Sequence, residues 1–324
     1  MNKDALYILA LSKIYGIRRK GVARILDYIK SEGAYMEADI CNLLFNLTDK
    51  LLRNKRRVKK EEVINAFYFA ESILDQSINK GISVVTKYDS DYPALFNDLG
   101  ESAPLLFYYK GDLKAVTQYP TVAIIGTRNV SPQGNTIGRK YSDQIVDSGF
   151  VTVSGLAVGC DTIAHQSSVS KGRPTVAVLP SGLDNIYPYQ NIDLAEEILE
   201  CGGLLLSEYH IGVRPSRAQF FERNRLQVGL SYGTIIIETA TKGGTMNTAS
   251  HTMNSDRLLA CLLPNDIDTG FEGNQLLVNK EEALGISNEE ELNKILDLLK
   301  YRYEKGNAHH LDLDRTIYKQ ASLF

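Results

Sequence analysis

The chain has 324 residues, 44% of them apolar, and a formal net charge of −3. This length suits one large domain with a smaller one, and the apolar share is ordinary for a globular protein. No apolar run approaches the ~18 residues that a membrane span needs, and no signal-peptide pattern is found. We therefore expect a cytoplasmic protein with no membrane partner. The four cysteines are scattered without a C-x-x-C pair, which predicts reduced thiols and no metal site.

Charge is distributed unevenly along the chain. Residues 1–60 contain 14 Lys and Arg against 6 Asp and Glu, a balance of +8, whereas residues 61–324 have a balance of −11. A basic segment in front of an acidic body indicates a polyanionic partner for that segment. A solvated helical surface is the alternative.

Residues 1–82 are predicted to form a small helical domain, because apolar residues recur there at helical spacing. The stretch IYGIRRKGVARIL (14–26) predicts two helices joined by a glycine turn at Gly16 and Gly21. It partly resembles the helix-hairpin-helix and SAM-like modules, although Arg18 replaces the second turn glycine. Such hairpins present N–H groups and cations to a phosphate backbone. A helical bundle used for packing or partner contact is the alternative.

From residue 83 the pattern changes to short β-branched runs that alternate with helical segments. Near-continuous apolar strands separated by helices predict a parallel sheet covered on both faces. Residues 83–286 are therefore predicted to form an α/β domain with an extended Rossmann-like, doubly wound parallel sheet. Residues 287–324 are predicted to form a C-terminal helix (289–301) and a tail. The predicted strands are TVAII (121–125), FVTVS (150–154), PTVAVL (174–179), GLLLS (203–207), GTIIIE (233–238) and LLACLL (258–263).

A polar loop that contains glycine follows each of the first five strands. Ligands of doubly wound sheets bind beyond the carboxyl ends of the strands, and N–H groups at glycine turns and helix N-termini suit an anion there. Arginines lie in or near several of these loops, so we predict a site for a phosphate-bearing ligand. G-x-G-x-x-G, Walker A and G-x-S-x-G motifs are absent. We therefore expect no cofactor and no catalytic residues.

Asp161 and His165 lie one helical turn apart after the second strand. A proton relay is one interpretation of this pair. We favour a structural one, in which Asp161 caps the helix and His165 makes a buried polar contact.

The loop sequences resemble those of the DNA-processing protein A family, also called DprA or Smf. The resemblance covers roughly residues 85–280 in the order of the family. It implies a non-enzymatic homodimer that binds single-stranded DNA without sequence preference, protects it, and loads the recombinase RecA onto it during natural transformation and recombination. The matching segments are YPALFNDL (92–99), APLLFYYKGDL (103–113), IIGTRNVSPQG (124–134), VSGLAVGCDTIAH (153–165), GLDNIYP (182–188), LSEYHIGVRPSRAQFFERNR (206–225), GGTMNTAS (243–250) and GFEGNQLL (270–277).

The resemblance also implies a DNA-binding pocket at the strand ends. We expect Arg128 to contact DNA rather than to pair with a carboxylate such as Glu238. We expect one of Arg223 and Arg225 to contact DNA while the other packs or pairs, because residues two apart do not face the same way on a helix. The implied pocket residues are Gly126, Thr127, Arg128, Ser154, Gly155, Arg223, Asn224, Arg225, Gly243, Gly244 and Thr245.

A nucleotide-binding sensor, or an enzyme similar to the nucleoside-monophosphate phosphoribohydrolases, is the alternative function for the same pocket. Such hydrolases carry a PGGxGTxxE loop. The segment GGTMNT (243–248) keeps the glycines, but Thr248 stands in the place of the catalytic glutamate. This substitution removes the obvious acid.

The final residues QASLF resemble the Q-L-[S/D]-L-F motif by which bacterial proteins bind the DNA polymerase sliding clamp. In that interpretation Leu323 and Phe324 fill an apolar pocket of the clamp and Gln320 forms a hydrogen bond at its rim. Packing of Leu323 and Phe324 on the body of the protein is the alternative.

Overall fold

The computed structural model describes residues 2–32, 58–264 and 269–306. The chain divides into two compact units, one formed by Met1–Tyr92 with Pro104–Tyr108 and the other by Pro93–Ala103 with Tyr109–Phe324. The domain boundaries 1–82, 83–286 and 287–324 stay a prediction. The clamp-like motif at 320–324 lies outside the described residues.

The described residues of the first unit form three helices, in agreement with the helical spacing of their apolar residues. Asn2 caps the first helix, since its side chain accepts a hydrogen bond from the N–H of Ala5 at 3.2 Å. Gly16 has a φ of 94°, a left-handed value that glycine adopts without strain, and it turns the chain between the first two helices. The elements are α1 (Lys3–Lys13), α2 (Arg19–Glu32), α3 (Lys60–Asn79), β1 (Ser83–Thr86) and β2 (Leu106–Gly111), whose last three residues belong to the second unit.

The second unit contains the predicted parallel sheet. In the part of the chain that the structure describes, its strands follow the order β6-β5-β4-β3-β7-β8-β9, and each adjacent pair is parallel. The chain enters at β3, runs outward to β6 and returns to β7 beside β3, so the order reverses between β3 and β7. The strands are β3 (Thr121–Ile125), β4 (Val151–Ser154), β5 (Thr175–Leu179), β6 (Leu204–Ser207), β7 (Gly233–Ile236), β8 (Leu258–Leu262) and β9 (Leu284–Ile286).

Helices connect these strands and cover the sheet. Ser131 caps the helix after β3 by accepting a hydrogen bond from the N–H of Gly134 at 2.9 Å, and Pro132 is its first residue. The helices are α4 (Lys114–Thr117), α5 (Pro132–Asp147), α6 (Cys160–Val169), α7 (Ile192–Glu200), α8 (Arg217–Gly229), α9 (Gly244–Asn254), α10 (Glu272–Asn279) and α11 (Glu289–Glu304), with 3₁₀ turns at Ala94–Ser102 and Tyr189–Asn191.

The C-terminal helix α11 is part of the second unit. Its buried residues Leu292, Ile295 and Leu299 belong to the same apolar cluster as Ile235 of β7 and Leu258 of β8. Burial of such side chains stabilises a fold by roughly 1.5–3 kcal/mol each. Among the helices of the described ranges, none combines the length and the apolar character that a membrane crossing needs.

Candidate functional site

A cavity of about 510 Å³ lies at the carboxyl ends of β3 and β7, where the strand order reverses. Doubly wound sheets bind their ligands at this position. Eight of the eleven predicted pocket residues line it. These are Gly126, Thr127, Arg128, Arg223, Asn224, Gly243, Gly244 and Thr245.

The loop after β3 is held in place by Glu238, which follows β7. The N–H of Thr127 donates to the carbonyl of Glu238 at 2.8 Å. The N–H and the hydroxyl of Ser131 donate to Glu238 Oε2 at 3.0 and 2.8 Å. A side chain at Gly126 would clash with Cys160 and with the Glu238 carbonyl, so glycine is required at the strand end. The Glu238 carboxylate is thus engaged by Ser131 and not by Arg128.

Arg128 reaches the mouth of the cavity from this loop. Its side chain is exposed, and its guanidinium carbon lies 4.9 Å from the ring centroid of Phe220. This is a cation–π contact. The Phe220 ring meets Tyr187 edge to face at 5.8 Å. Among the described residues, no carboxylate pairs with Arg128, so its N–H donors remain available to a ligand.

Two further cations line the cavity. Arg217 is the first residue of α8, and Lys242 precedes α9; both are exposed, and neither has an ion-pair partner among the residues of the described ranges. Gly243, at a φ of 137°, is the N-cap of α9, and no side chain caps this helix. Uncapped N–H groups at a helix N-terminus favour an anion. The pocket residues implied by the resemblance do not include Lys242, Arg217 or Phe220. Arg217 is one of the loop arginines that the sequence offers as countercharge to an anion, and the K-G-G turn before a helix was the available signal for Lys242.

Arg223 is buried behind the cavity and fixes the ends of two strands. It donates to the carbonyl of Gly155 at 2.8 Å and to the carbonyl of Val178. A side chain at Gly155 would occupy the space of the guanidinium. Burial lowers the pKa of Arg223 to about 10, while the nearby Asp161 opposes this shift. Arg223 therefore keeps its positive charge at neutral pH.

Asp161 and His165 have structural contacts on α6. Gly159 and not Asp161 is the N-cap of this helix, and Asp161 Oδ2 instead accepts hydrogen bonds from the N–H groups of Gly155 and Ala157 at 3.1 and 3.2 Å. Burial raises the pKa of Asp161, and Arg223 opposes the shift. His165 Nδ1 lies 2.9 Å from the hydroxyl of Thr175 in the core. Asp161 lines the cavity, whereas His165 does not.

Three predicted pocket residues lie outside the cavity lining. The Ser154 hydroxyl is buried and donates to the carbonyl of Ile124 at 2.7 Å. Gly155 is buried against Arg223. Arg225 pairs with Glu208 at 2.5 Å. Both arginines of the R-N-R segment are therefore engaged inside the protein. Asn224, between them, donates to the carbonyl of Gly244 at 3.3 Å and joins α8 to the start of α9.

The sequence of this chain is similar to those of known DNA-processing proteins. The family model of DNA recombination-mediator protein A matches residues 83–297. Protein Smf of Synechocystis sp. is 35% identical over 272 residues, which are 82% of this chain and 66% of the length of that protein. DNA processing protein DprA of Streptococcus pneumoniae is 33% identical over 204 residues, 63% of this chain and 71% of that protein.

Two solved structures are similar to this chain. The X-ray structure of DprA from Streptococcus pneumoniae has a TM-score of 0.70 and 26% identity, and covers 90% of this chain and 97% of its own. A structure that describes the single-stranded DNA binding mode of DNA processing protein A from Helicobacter pylori has a TM-score of 0.60 and 31% identity. The matched region is 68% of this chain and 96% of the Helicobacter pylori chain.

Proposed function

This chain belongs to the family of DNA recombination-mediator protein A, known as DprA or Smf, and we propose that its cavity binds single-stranded DNA without sequence preference. The protein acts as a binder and not as an enzyme. It protects the strand and loads RecA onto it during transformation and recombination, and it works as a homodimer.

One observation carries the proposal. Arg128, Arg217 and Lys242 are exposed cations that line one cavity without ion-pair partners among the described residues. The uncapped N-terminus of α9 opens on the same space. Cations and N–H groups that converge in this way favour phosphates. Phosphate contacts position a strand without reading its sequence.

The aromatic side chains beside these cations suit the bases of the same strand. Phe220 lies under Arg128 and against Tyr187, whose side chain is 40% exposed. Bases stack on aromatic rings whatever their identity, and each stack is worth about 1–3 kcal/mol. A groove that combines cations with aromatic rings therefore supports tight binding that depends little on sequence.

The test is equilibrium binding of a fluorescent single strand of mixed sequence over a series of salt concentrations. We expect Arg128→Ala to weaken binding roughly tenfold, and to make the slope of log K against log salt shallower by about 0.7 for the lost phosphate contact. Arg173→Ala is the matched control, since Arg173 is exposed and does not line the cavity; it should bind as wild type does. Absence of binding at low salt would refute the proposal.

A small nucleotide is the alternative ligand, because the cavity is large enough to hold one. About 510 Å³ lies in the roughly 300–1,000 Å³ range of small-molecule sites. Asp161 is the one carboxylate among the described lining residues, and its Oδ2 is engaged by two backbone N–H groups. Thr248 is buried, and its hydroxyl donates a hydrogen bond to the carbonyl of Gly244 at 3.2 Å. We expect nucleoside monophosphates to be left unhydrolysed, as product analysis by chromatography would show.

The sliding clamp is a further proposed partner. The contact would use Gln320, Leu323 and Phe324, which lie outside the described residues. Its residues are distinct from those that line the cavity in the described part of the chain, so we expect loss of one contact to leave the other intact.

A further inference from the structure

The turn between α1 and α2 carries a second concentration of positive charge. Five Lys and Arg residues occur between positions 13 and 24, and no Asp or Glu does. The side chains of Lys13, Arg18, Lys20 and Arg24 are exposed. We call these residues, with the half-buried Arg19, the basic hairpin surface. It lies in the first unit and outside residues 83–297, which the family model matches.

The apolar residues of the hairpin determine where the cations point. Ile14, Ile17, Val22 and Ile25 alternate with the cations and are at most 8% exposed. The turn is closed by a hydrogen bond from the N–H of Ile17 to the carbonyl of Ile14 at 3.2 Å. A folded core therefore holds the cations outward in a fixed array. This differs from a basic tail, whose charges are carried by a chain without packing.

Three acidic residues of the same unit are engaged away from the basic hairpin surface. Asp4 pairs with Lys30 at 2.7 Å. Asp27 accepts a hydrogen bond from the hydroxyl of Tyr88 at 2.9 Å, and Asp89 accepts one from Asn2 at 2.9 Å. For Lys13, Arg18 and Arg24 there is no ion-pair partner among the described residues. The charges of these three cations are therefore not neutralised by an ion pair with a described residue.

An exposed aromatic ring lies among these cations. Tyr15 is 72% exposed at the turn, and the ammonium of Lys13 lies 4.2 Å from the ring centroid of Phe69. The Tyr15 ring is therefore accessible to a base beside the cations of the turn. Cations interleaved with an aromatic side chain are the pattern of nucleic-acid surfaces.

We propose that the basic hairpin surface is a second DNA-binding site, which holds the phosphodiester backbone without reading the bases. The group that it binds is a row of backbone phosphates, which either a duplex or a single strand can present. None of its residues lines the cavity at the ends of β3 and β7. The proposal therefore does not depend on the function proposed for that cavity.

The experiment uses the full chain, a short blunt-ended duplex and a single strand of the same length. We expect the double variant Arg18→Gln/Arg24→Gln to bind at least one of the two at least fivefold more weakly than wild type. Against the duplex, the slope of log K with log salt should become shallower by about 1.8, or about 0.9 for each lost phosphate contact. Loss on the duplex alone assigns the site to duplex DNA, and loss on the single strand alone assigns it to that form.

Two controls separate a site from a change in net charge. Lys114→Gln/Arg173→Gln removes the same charge from exposed positions in the second unit that do not line the cavity, and should bind both probes as wild type does. Arg18→Lys/Arg24→Lys keeps the charge and should restore most of the affinity. Arg128→Ala reports on the cavity separately. The proposal is overturned if the Gln double variant binds both probes as wild type does, or loses no more affinity than the control pair.

Discussion

His165 is fully buried on α6, and its Nδ1 contacts the hydroxyl of Thr175. Burial, together with the positive charge of Arg223, lowers the pKa of His165 to about 3. The imidazole is therefore neutral at physiological pH and serves the core as a polar neighbour of Thr175. A residue that suggested a proton relay at the level of sequence thus lies among core contacts, outside the lining of the cavity.

The shift predicts how stability depends on pH. An unfolded histidine has a pKa of about 6.5, so between that value and about 3 the unfolded chain binds a proton that the folded chain does not. Stability should therefore fall as the pH drops below about 6.5, with a loss on the order of 2 kcal/mol near pH 5. Urea unfolding of wild type and His165→Gln should show a weaker pH dependence in the variant. Equal losses in both proteins would contradict the prediction.

Helix α8 shows how an element distributes its charges. Its R-N-R segment suggests that one arginine contacts the ligand. In the structure Arg223 bonds to the strand-end carbonyls of Gly155 and Val178, and Arg225 pairs with Glu208. Arg217, one to two turns earlier, is the cation of this helix that stays exposed at the cavity. The C-terminal half of the helix is therefore held to the strand ends by Arg223, and its N-terminal end presents the charge of Arg217 to the cavity.

Arg223 should accordingly matter for stability. Arg223→Met leaves two buried carbonyls without their donor and removes the charge beside Asp161, so we expect a loss of about 3–5 kcal/mol in the free energy of unfolding. Arg217→Met, on the same helix but exposed, should change stability by less than about 0.5 kcal/mol while weakening DNA binding. Chemical denaturation of the two variants makes the comparison. An Arg223→Met protein as stable as wild type would rule out this structural role.

At the scale of the whole molecule, the proposed contacts with DNA and with the sliding clamp use different parts of the chain. The cavity is lined by the end of β3, by the loops after β3, β4 and β7, and by α6, α8 and α9 of the second unit. The clamp-like motif is at positions 320–324. Contacts that share no residues should be separable by mutation.

Deletion of residues 320–324 tests this separation. We expect the truncated protein to lose binding to the bacterial sliding clamp, because Leu323 and Phe324 supply the apolar anchors of the motif. Its affinity for single-stranded DNA should stay within about twofold of wild type, since the deletion removes none of the cavity residues that the structure describes. Surface plasmon resonance on immobilised clamp measures the first quantity. Clamp affinity that is unchanged by the deletion would exclude the motif as the contact.

Most strands of the parallel sheet could be predicted from the amino-acid sequence alone. Uninterrupted apolar runs between helical segments predict the parallel sheet, and six predicted runs correspond to β3 through β8. Ser131-Pro132 marks the start of α5 as a local cap does. Strand β9, only three residues long, gives no comparable signal. Helix caps and apolar runs depend on residues that are close together in the chain, so they can be recognised in a single sequence.

Which charged groups stay exposed at the cavity follows only from the folded structure. Arg128, Arg217 and Lys242 remain exposed at the cavity, whereas Arg223 and Arg225 are taken up by the Gly155 carbonyl and by Glu208. Likewise Glu238 is satisfied by Ser131, 107 positions away in the chain. An arginine is available to a phosphate only when no internal acceptor has engaged it. Those acceptors come from distant strands, and the folded sheet alone brings them together.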